Sequence, residues 1–356
     1  MSPDGAGALQ RVVPREVVDL ARVAAWMDAQ ELGAGPFERA ELLAGGTQNV
    51  LLLLRRSGRD YVLRRPPPHL RKNSNETMRR EARVLAALAG SDVPHPRLVA
   101  ACPAEDVIGA AFYLMEPIQG FNPTRGLPEP FRSDPALRRA MGFSLVDGIL
   151  SLGRVDYVAV GLADFGKVDG YLERQVPRWR AQLESYAEFA GWPGPQIPGV
   201  ERVARWLEDC RPRTFSPGIL HGDYHLANVM FRYDRPALAA IVDWELCTIG
   251  DPLLDLGGLL ATWPAPEGPT PGTIALTPWH GFPTAEELIA HYARGTTRDL
   301  SAVAWYRVLA CYKLGIILEG THARACAGKA PKETGDVLHA TTVALFERAL
   351  RLLAEA

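Results

Sequence analysis

Two polar clusters, each closing an apolar run, constrain this chain more than any other feature. The first, His221-Gly222-Asp223-Tyr224-His225-Leu226-Ala227-Asn228, follows Gly218-Ile219-Leu220; the second, Asp243-Trp244-Glu245, ends the run from Ala239 to Val242. Val229-Met230-Phe231 lies between them, so the stretch reads strand, loop, strand, then a third short strand ending in a carboxylate. That order predicts that Asp223, Asn228 and Asp243 converge at one end of a small β-element. A hard cation such as Mg²⁺ prefers carboxylate and amide oxygens and keeps waters and substrate phosphates as its other ligands. Asn228 and Asp243 suit that role, which leaves Asp223 as a base.

The chain has 356 residues, more than the roughly 250 to 300 at which a single hydrophobic core stops growing, so two lobes are expected. Pro14 suits the first turn of a helix carrying Val17, Ala21, Ala24 and Met27 on one face. From Phe37 the period changes, and the runs Ala40 to Leu43, Val50 to Leu54 and Tyr61 to Arg65 read as an antiparallel meander. Met78, Ala82, Leu85 and Leu88 form a helical stripe, followed by strands at Leu98 to Ala101 and Ala111 to Met115. Gly120 and Pro123 mark a linker, which predicts an N-lobe over 1–120 and a C-lobe over 121–356.

The C-lobe reads as mainly helical outside the two clusters. Helices are expected from Ser133 or Asp134 to Leu152, Asp169 to Ala190, Gly199 to Cys210, Asp251 to Leu260, Leu300 to Ala327 and Glu333 to Ala354. The stretch from Trp263 to Pro283, rich in Pro and Gly, reads as a long loop that is either functional or mobile.

Composition excludes several classes of partner. A formal net charge of -2 provides no field for nucleic acid or an anionic membrane surface. No apolar run approaches the ~18 residues of a membrane span, and the N-terminus lacks a basic start followed by an apolar segment. The five cysteines are odd in number, widely spaced and without a C-x-x-C pair, so neither a disulfide framework nor a zinc knuckle is predicted. A reducing cytoplasm is the expected setting.

The pattern H-G-D-x-H-x-x-N, then D-W-E, then Gly250-Asp251-Pro252-Leu253-Leu254-Asp255-Leu256, resembles the aminoglycoside phosphotransferase and choline kinase family. Within it the likeness is to the branch related to the kinase-like domain of certain acyl-CoA dehydrogenase family proteins, and it covers most of the chain. The resemblance implies an α+β, bilobal protein-kinase-like fold with a small antiparallel-sheet N-lobe and a large, mainly helical C-lobe. It also implies a phosphotransferase that uses Mg²⁺ and ATP, or GTP, to phosphorylate a hydroxyl of a small molecule, a hydroxyacyl compound being one candidate.

By the same resemblance, Asp223 orients or deprotonates the acceptor hydroxyl, and His225 stands where kinases place a lysine facing the transferred phosphate. Asn228 and Asp243 hold the metal. Gly46 and Thr47, in the turn Gly45-Gly46-Thr47, lie over the nucleotide phosphates, and Met115, Glu116 and Pro117 meet the adenine. Arg64 occupies the place of the phosphate-binding lysine, with Glu81 as its partner. This is a departure from the family pattern, because a planar guanidinium is not a neutral replacement for a compact ammonium. Asp255 braces the loop backbone, and His221 is structural.

Three rival readings remain. His221, Asp223 and His225 together suggest a metal-dependent hydrolase, but no second His-rich motif follows and an Asn-Asp pair points to a hard metal. A nucleotide-binding pseudokinase stays open because of Arg64. An antibiotic kinase needs an acidic acceptor surface, for which Glu319, Glu333 and Asp336 are late-chain acids with no evident convergence.

Overall fold

A computed structural model describes residues 13–14, 17–43, 49–70, 72–264 and 274–355. The turn carrying Gly46 and Thr47, and the centre of the Trp263–Pro283 loop, lie outside the described residues. The chain divides into two compact units, one of residues 1–91 and 95–118, the other of residues 92–94 and 119–356.

The first unit contains α1 (Leu20–Ala29), β1 (Arg39–Leu42), β2 (Val50–Arg56), β3 (Arg59–Arg65), α2 (Ser74–Ala87), β4 (Leu98–Cys102) and β5 (Phe112–Met115). The strands form one antiparallel sheet in the order β1-β2-β3-β5-β4. Ser57 and Gly58 both take positive φ, 49° and 71°, as a two-residue type I′ hairpin requires, and this sets the β2–β3 register from Arg56↔Arg59 to Val50↔Arg65.

The first helix begins later than Pro14 predicted. Asp19 is its N-cap, accepting from the amides of Ala21 (3.1 Å) and Arg22 (3.2 Å), while Pro14 belongs to the preceding turn. Val23 and Met27 of α1 are fully buried against Leu52, Leu54, Leu63 and Leu114 of the sheet, worth about 1.5–3 kcal/mol each. Buried Arg56 fastens the end of α1, donating to the carbonyls of Gly35 (2.9 Å) and Ala24 (3.0 Å) and pairing with Asp28.

The second unit starts with α3 (Pro135–Arg154), α4 (Gln175–Ser185) and α5 (Val200–Asp209). Asp134 caps α3 by accepting from the Ala136 amide (2.8 Å). The helix expected from Asp169 to Ala190 is shorter: α4 starts at Gln175 and passes into a 3₁₀ turn, Tyr186–Glu188. Trp179 and Tyr186 are core residues.

Next come β6 (Gly218–Leu220), β7 (Val229–Phe231), β8 (Leu238–Ile241), β9 (Thr248–Gly250) and α6 (Leu253–Ala261). The strands around the polar clusters do not form a single β-element. β7 pairs with β8, and β6 pairs antiparallel with β9, a three-residue strand that carries too little alternation to be seen in sequence.

The remaining helices are α7 (Ala285–Arg294), α8 (Val303–Cys326) and α9 (Lys332–Glu355). Helix α7 is absent from the expected set, although a capping box marks its start in the sequence. Thr284 Oγ1 accepts from the Glu287 amide (3.2 Å), and Glu287 accepts from the Thr284 amide (2.9 Å). α6 and α8 approach closely: a Cβ at Gly257 would stand 2.5 Å from the Tyr306 carbonyl oxygen. Tyr306 Oη–H donates to buried Asp251 (2.6 Å), whose other oxygen accepts from the Leu253 amide (3.0 Å) at the start of α6.

Candidate functional site

In the second unit the loop after β6 is fixed by its own backbone. Gly222 takes φ +84°, and a Cβ there would run into the carbonyl of Leu246, so both conformation and space require glycine. Asp255, in the first turn of α6, accepts the His221 amide on Oδ2 (2.6 Å) and the Gly222 amide on Oδ1 (2.8 Å). Burial pushes the Asp255 carboxyl above its ordinary range, and the neighbouring His221 and the two amides oppose that push.

The His221 ring is a brace. Its Nδ1 accepts from the Asp223 amide (3.3 Å), so the neutral ring carries its proton on Nε2, which donates to the Val242 carbonyl (2.9 Å). The first polar cluster is thereby tied to the residue preceding Asp243. Asn122 holds the far end of the loop, donating to the carbonyls of Ala227 (2.7 Å) and Val229 (3.1 Å).

Asp223, His225 and Asn228 come together at the centre. Asn228 Nδ2 donates to the Asp223 carbonyl (3.0 Å) and to Asp223 Oδ2 (2.9 Å). His225 Nδ1 accepts from the Ala227 amide (3.2 Å), which puts the proton of the neutral ring on Nε2, 3.4 Å from Asp223 Oδ2. Burial pushes the Asp223 carboxyl up, but the His225 hydrogen bond and the neighbouring His225, Lys313 and His221 side chains outweigh it and hold the group well below the usual carboxylate range.

Asp243 follows the β7–β8 pair directly. The Val242 amide donates to the Asn228 carbonyl (2.9 Å), so Asp243 is one residue from a direct backbone link to Asn228. Its φ of +67° turns the chain sharply at the end of β8 and into the 3₁₀ turn Trp244–Leu246. Aspartate is among the few side chains that enter this region readily.

Lys313, on α8, was not singled out from the sequence. Its Nζ donates to the Gly222 carbonyl and lies 5.7 Å from the centre of the Trp179 ring. Burial lowers the pKa of its ammonium, while the charges of Asp223 and Asp255 pull it back up. A cleft of about 400 Å³, counted with its space open to solvent, has Asp223, His225 and Lys313 among its lining residues. Leu254, Ala261, Ala310, Leu314 and Ile317 give it an apolar wall.

The first unit contains the other sequence candidates. Arg64 of β3 and Glu81 of α2 form a buried two-pronged pair, Nε to Oε2 at 2.9 Å and Nη2 to Oε1 at 3.2 Å, with side chains 9% and 1% exposed. Tyr113 Oη–H donates to Glu81 Oε2 (2.8 Å). Met115 ends β5, the Glu116 amide donates to the Arg97 carbonyl (2.9 Å), and the Glu116 side chain pairs with Arg59 (3.1 Å) ahead of Pro117.

Residues 39–306 match the sequence profile of the Phosphotransferase enzyme family (APH). The chain belongs to this phosphotransferase family. It is 30% identical over 350 residues to "Acyl-CoA dehydrogenase family member 11" of Rattus norvegicus. That match covers 96% of this chain but 44% of the relative, so the chain spans about half the length of the curated protein it resembles.

Among solved structures of the phosphotransferase fold, a candidate aminoglycoside phosphotransferase from Ralstonia eutropha is 30% identical. It superposes with a TM-score of 0.76, over 93% of this chain and 98% of that one. The GDP complex of aminoglycoside 2'-phosphotransferase-IIIa, at 17% identity and TM-score 0.59 over 91% and 98% of the two chains, shares the fold. The small antiparallel sheet and the helical second unit are therefore those of an aminoglycoside phosphotransferase-like kinase fold.

Proposed function

We propose that this phosphotransferase moves the terminal phosphate of ATP, or GTP, to a hydroxyl of a small acceptor whose body is apolar. The observation that carries the reading is the clasp of Asn228 on Asp223, tied through the backbone to the residue before Asp243. One carboxylate is oriented by hydrogen bonds from Asn228 and His225, and a second follows a residue that is itself hydrogen-bonded to the Asn228 backbone.

The donor set fits Mg²⁺. Asn228 commits its amide nitrogen to Asp223, and among the described residues no hydrogen bond engages its amide oxygen, so an amide oxygen and the Asp243 carboxylate form the hard-ligand pair. Bound there, the cation would neutralise charge on the donor phosphates. Asp223 positions the acceptor hydroxyl and receives its proton. Its depressed pKa makes it a weak base, so orientation is the larger part of its work. His225 faces the same point. Arg64, held rigid by Glu81, contacts the nucleotide phosphates with its planar fork, in concert with Gly46 and Thr47, and Met115 to Pro117 meets the base. The solved relative with bound GDP supports a nucleotide donor.

The cleft supports an acceptor unlike an aminoglycoside. Its apolar wall suits a hydroxylated chain such as a hydroxyacyl compound, which gains from burying its methylenes there, while Asp223 and Asp255 balanced by Lys313 do not make the broadly acidic surface that a polycation needs. The name of the rat relative, an acyl-CoA dehydrogenase family member, agrees with that chemistry. Nucleoside diphosphate release measured against hydroxyacyl-CoAs, amino alcohols, sugars and aminoglycosides tests the proposal. Turnover is expected with a hydroxyacyl compound. Magnesium-dependent nucleotide binding without turnover on any acceptor would favour the pseudokinase reading, and absence of nucleotide binding would overturn the kinase reading altogether.

A further inference from the structure

Away from the cleft, α8 and α9 bring together a second group of ligand-type side chains. Glu319 and His322 stand three residues apart on α8 and His339 stands opposite on α9, with one donor atom from each within 4.8 Å of the other two. Glu319 is fully buried. Its Oε1 accepts from Trp192 Nε1 (3.0 Å), and its Oε2 lies 2.7 Å from His339 Nδ1. The His322 and His339 rings stack with centroids 4.5 Å apart and planes 29° apart. His322 Nδ1 is buried without a hydrogen-bond partner, an unfavourable condition for a buried polar atom.

We propose that Glu319, His322 and His339 form a site for one imidazole-preferring divalent cation of the Zn²⁺ class. The arrangement has three properties that a bare Glu–His ion pair does not need. A second imidazole is stacked on the first, although two such rings gain no charge complementarity from each other. An orphaned ring nitrogen is kept from water. The carboxylate is oriented from outside by Trp192, as a ligand is by its outer-shell hydrogen bond.

Two imidazoles and one carboxylate are a zinc donor set that leaves one position for water. Tetrahedral zinc at ~2.0–2.2 Å from nitrogen and oxygen ligands sets its donors roughly 3.4 Å apart, a spacing that lies between the 2.7 Å of Glu319 Oε2 to His339 Nδ1 and the 4.8 Å within which all three donors fall. The cation is distinct in chemistry from the one held at Asn228 and Asp243, because imidazole suits zinc, copper or nickel and the oxygen pair suits magnesium. Cys326 Sγ lies 3.6 Å from His322 Nε2 on an exposed face and is not a member of the set.

Such a site would join α8 and α9. It would also secure the Tyr186–Trp192 segment, since Trp192 packs edge-on against Tyr186 and Tyr186 Oη–H donates to the Ile316 carbonyl (3.0 Å). Its function is structural: it fixes the helix whose preceding turns carry Lys313, Leu314 and Ile317 to the cleft.

The test is titration of the metal-stripped full-length chain with Zn²⁺ by calorimetry, and with Co²⁺ followed by its visible ligand-field bands. Wild type, His322→Ala, His339→Gln, Glu319→Gln and Cys326→Ser are compared, each first shown to be folded by circular dichroism. The expected result is one zinc per chain and a rise in melting temperature on binding. Affinity should fall at least about tenfold in both histidine variants and remain unchanged in Cys326→Ser. Glu319→Gln, which keeps an oxygen for Trp192, serves as the variant that preserves the fold. It too should lose zinc affinity. No zinc uptake by wild type, uptake equal in wild type and the histidine variants, or a loss confined to Cys326→Ser would each overturn the proposal.

Discussion

Asn228 donates twice to Asp223, to its carbonyl at 3.0 Å and to its carboxylate at 2.9 Å. The amide proposed to face the metal is thus also the group that aims the proposed base. Replacing Asn228 by aspartate would remove both donors and set two carboxylates against each other, so its effect would not separate the two roles. The informative substitutions are at Asp223 and Asp243.

Asp223→Asn is expected to leave MgATP affinity within a few-fold of wild type while turnover falls roughly 10²- to 10⁴-fold, the range of general acid-base catalysis. Asp243→Asn is expected to weaken nucleotide binding in a magnesium-dependent way as well as lowering the rate. Calorimetry with ATP at several magnesium concentrations, beside steady-state kinetics, distinguishes them. Loss of nucleotide binding in Asp223→Asn, with Asp243→Asn unaffected, would reverse the assignment.

The buried pair Arg64–Glu81 predicts coupling. Glu81→Ala strands a guanidinium that is 9% exposed and removes the acceptor of Tyr113, a change of the kind that costs about 3–5 kcal/mol. The double mutant Arg64→Ala/Glu81→Ala should lose less than the sum of the singles, by about 0.5–3 kcal/mol in a denaturation cycle. Strict additivity would mean that the two residues act separately in solution.

Gly222→Ala tests the loop. The added methyl meets the Leu246 carbonyl and the left-handed backbone adds about 1–2 kcal/mol of strain, so the hydrogen bonds from His221 and Gly222 to Asp255 must give way. Turnover is expected to fall by at least about tenfold, with a lower melting temperature. Wild-type values for both would show that the loop tolerates a different path.

The pH profile follows from the sign of the Asp223 shift. A carboxyl whose folded pKa is depressed stays ionised as pH falls through the unfolded value of about 3.9, and its contribution is lost only below that. No acid limb in kcat/KM from Asp223 is therefore expected above about pH 4. Lys313→Met removes a cation that helps to hold the shift, so in that variant an acid limb should move upward. A wild-type acid limb near pH 6 that vanished in Asp223→Glu would contradict the depressed value.

The parts of this fold that could be read in sequence are those with a local cause. The hairpin at Ser57-Gly58, the Asp134 cap and the long stripes of α8 and α9 each declare themselves within a few residues. The proximity of Asp223 to Asn228 is also local, since five residues of one loop separate them. β9 and α7 were overlooked for different reasons: β9 is three residues long and defined only by its partner, whereas the Thr284–Glu287 capping box was legible and not used. Lys313 could not have been found by any spacing rule. It meets Gly222 from 91 residues away, through the packing of α8 on α6 at Gly257 and Tyr306.

The arginine of β3 also bears on chemical proteomics. Activity-based reagents that recognise nucleotide-dependent phosphotransferases by acylating a lysine amine beside the phosphates require a nucleophilic nitrogen, and a guanidinium that stays protonated provides none. In the first unit the lysine is Lys72, an exposed side chain, whereas Arg64 is locked against Glu81. A reagent aimed at an amine in the place of Arg64 would find none there, and any label on this chain would have to fall elsewhere, as on Lys313 in the cleft.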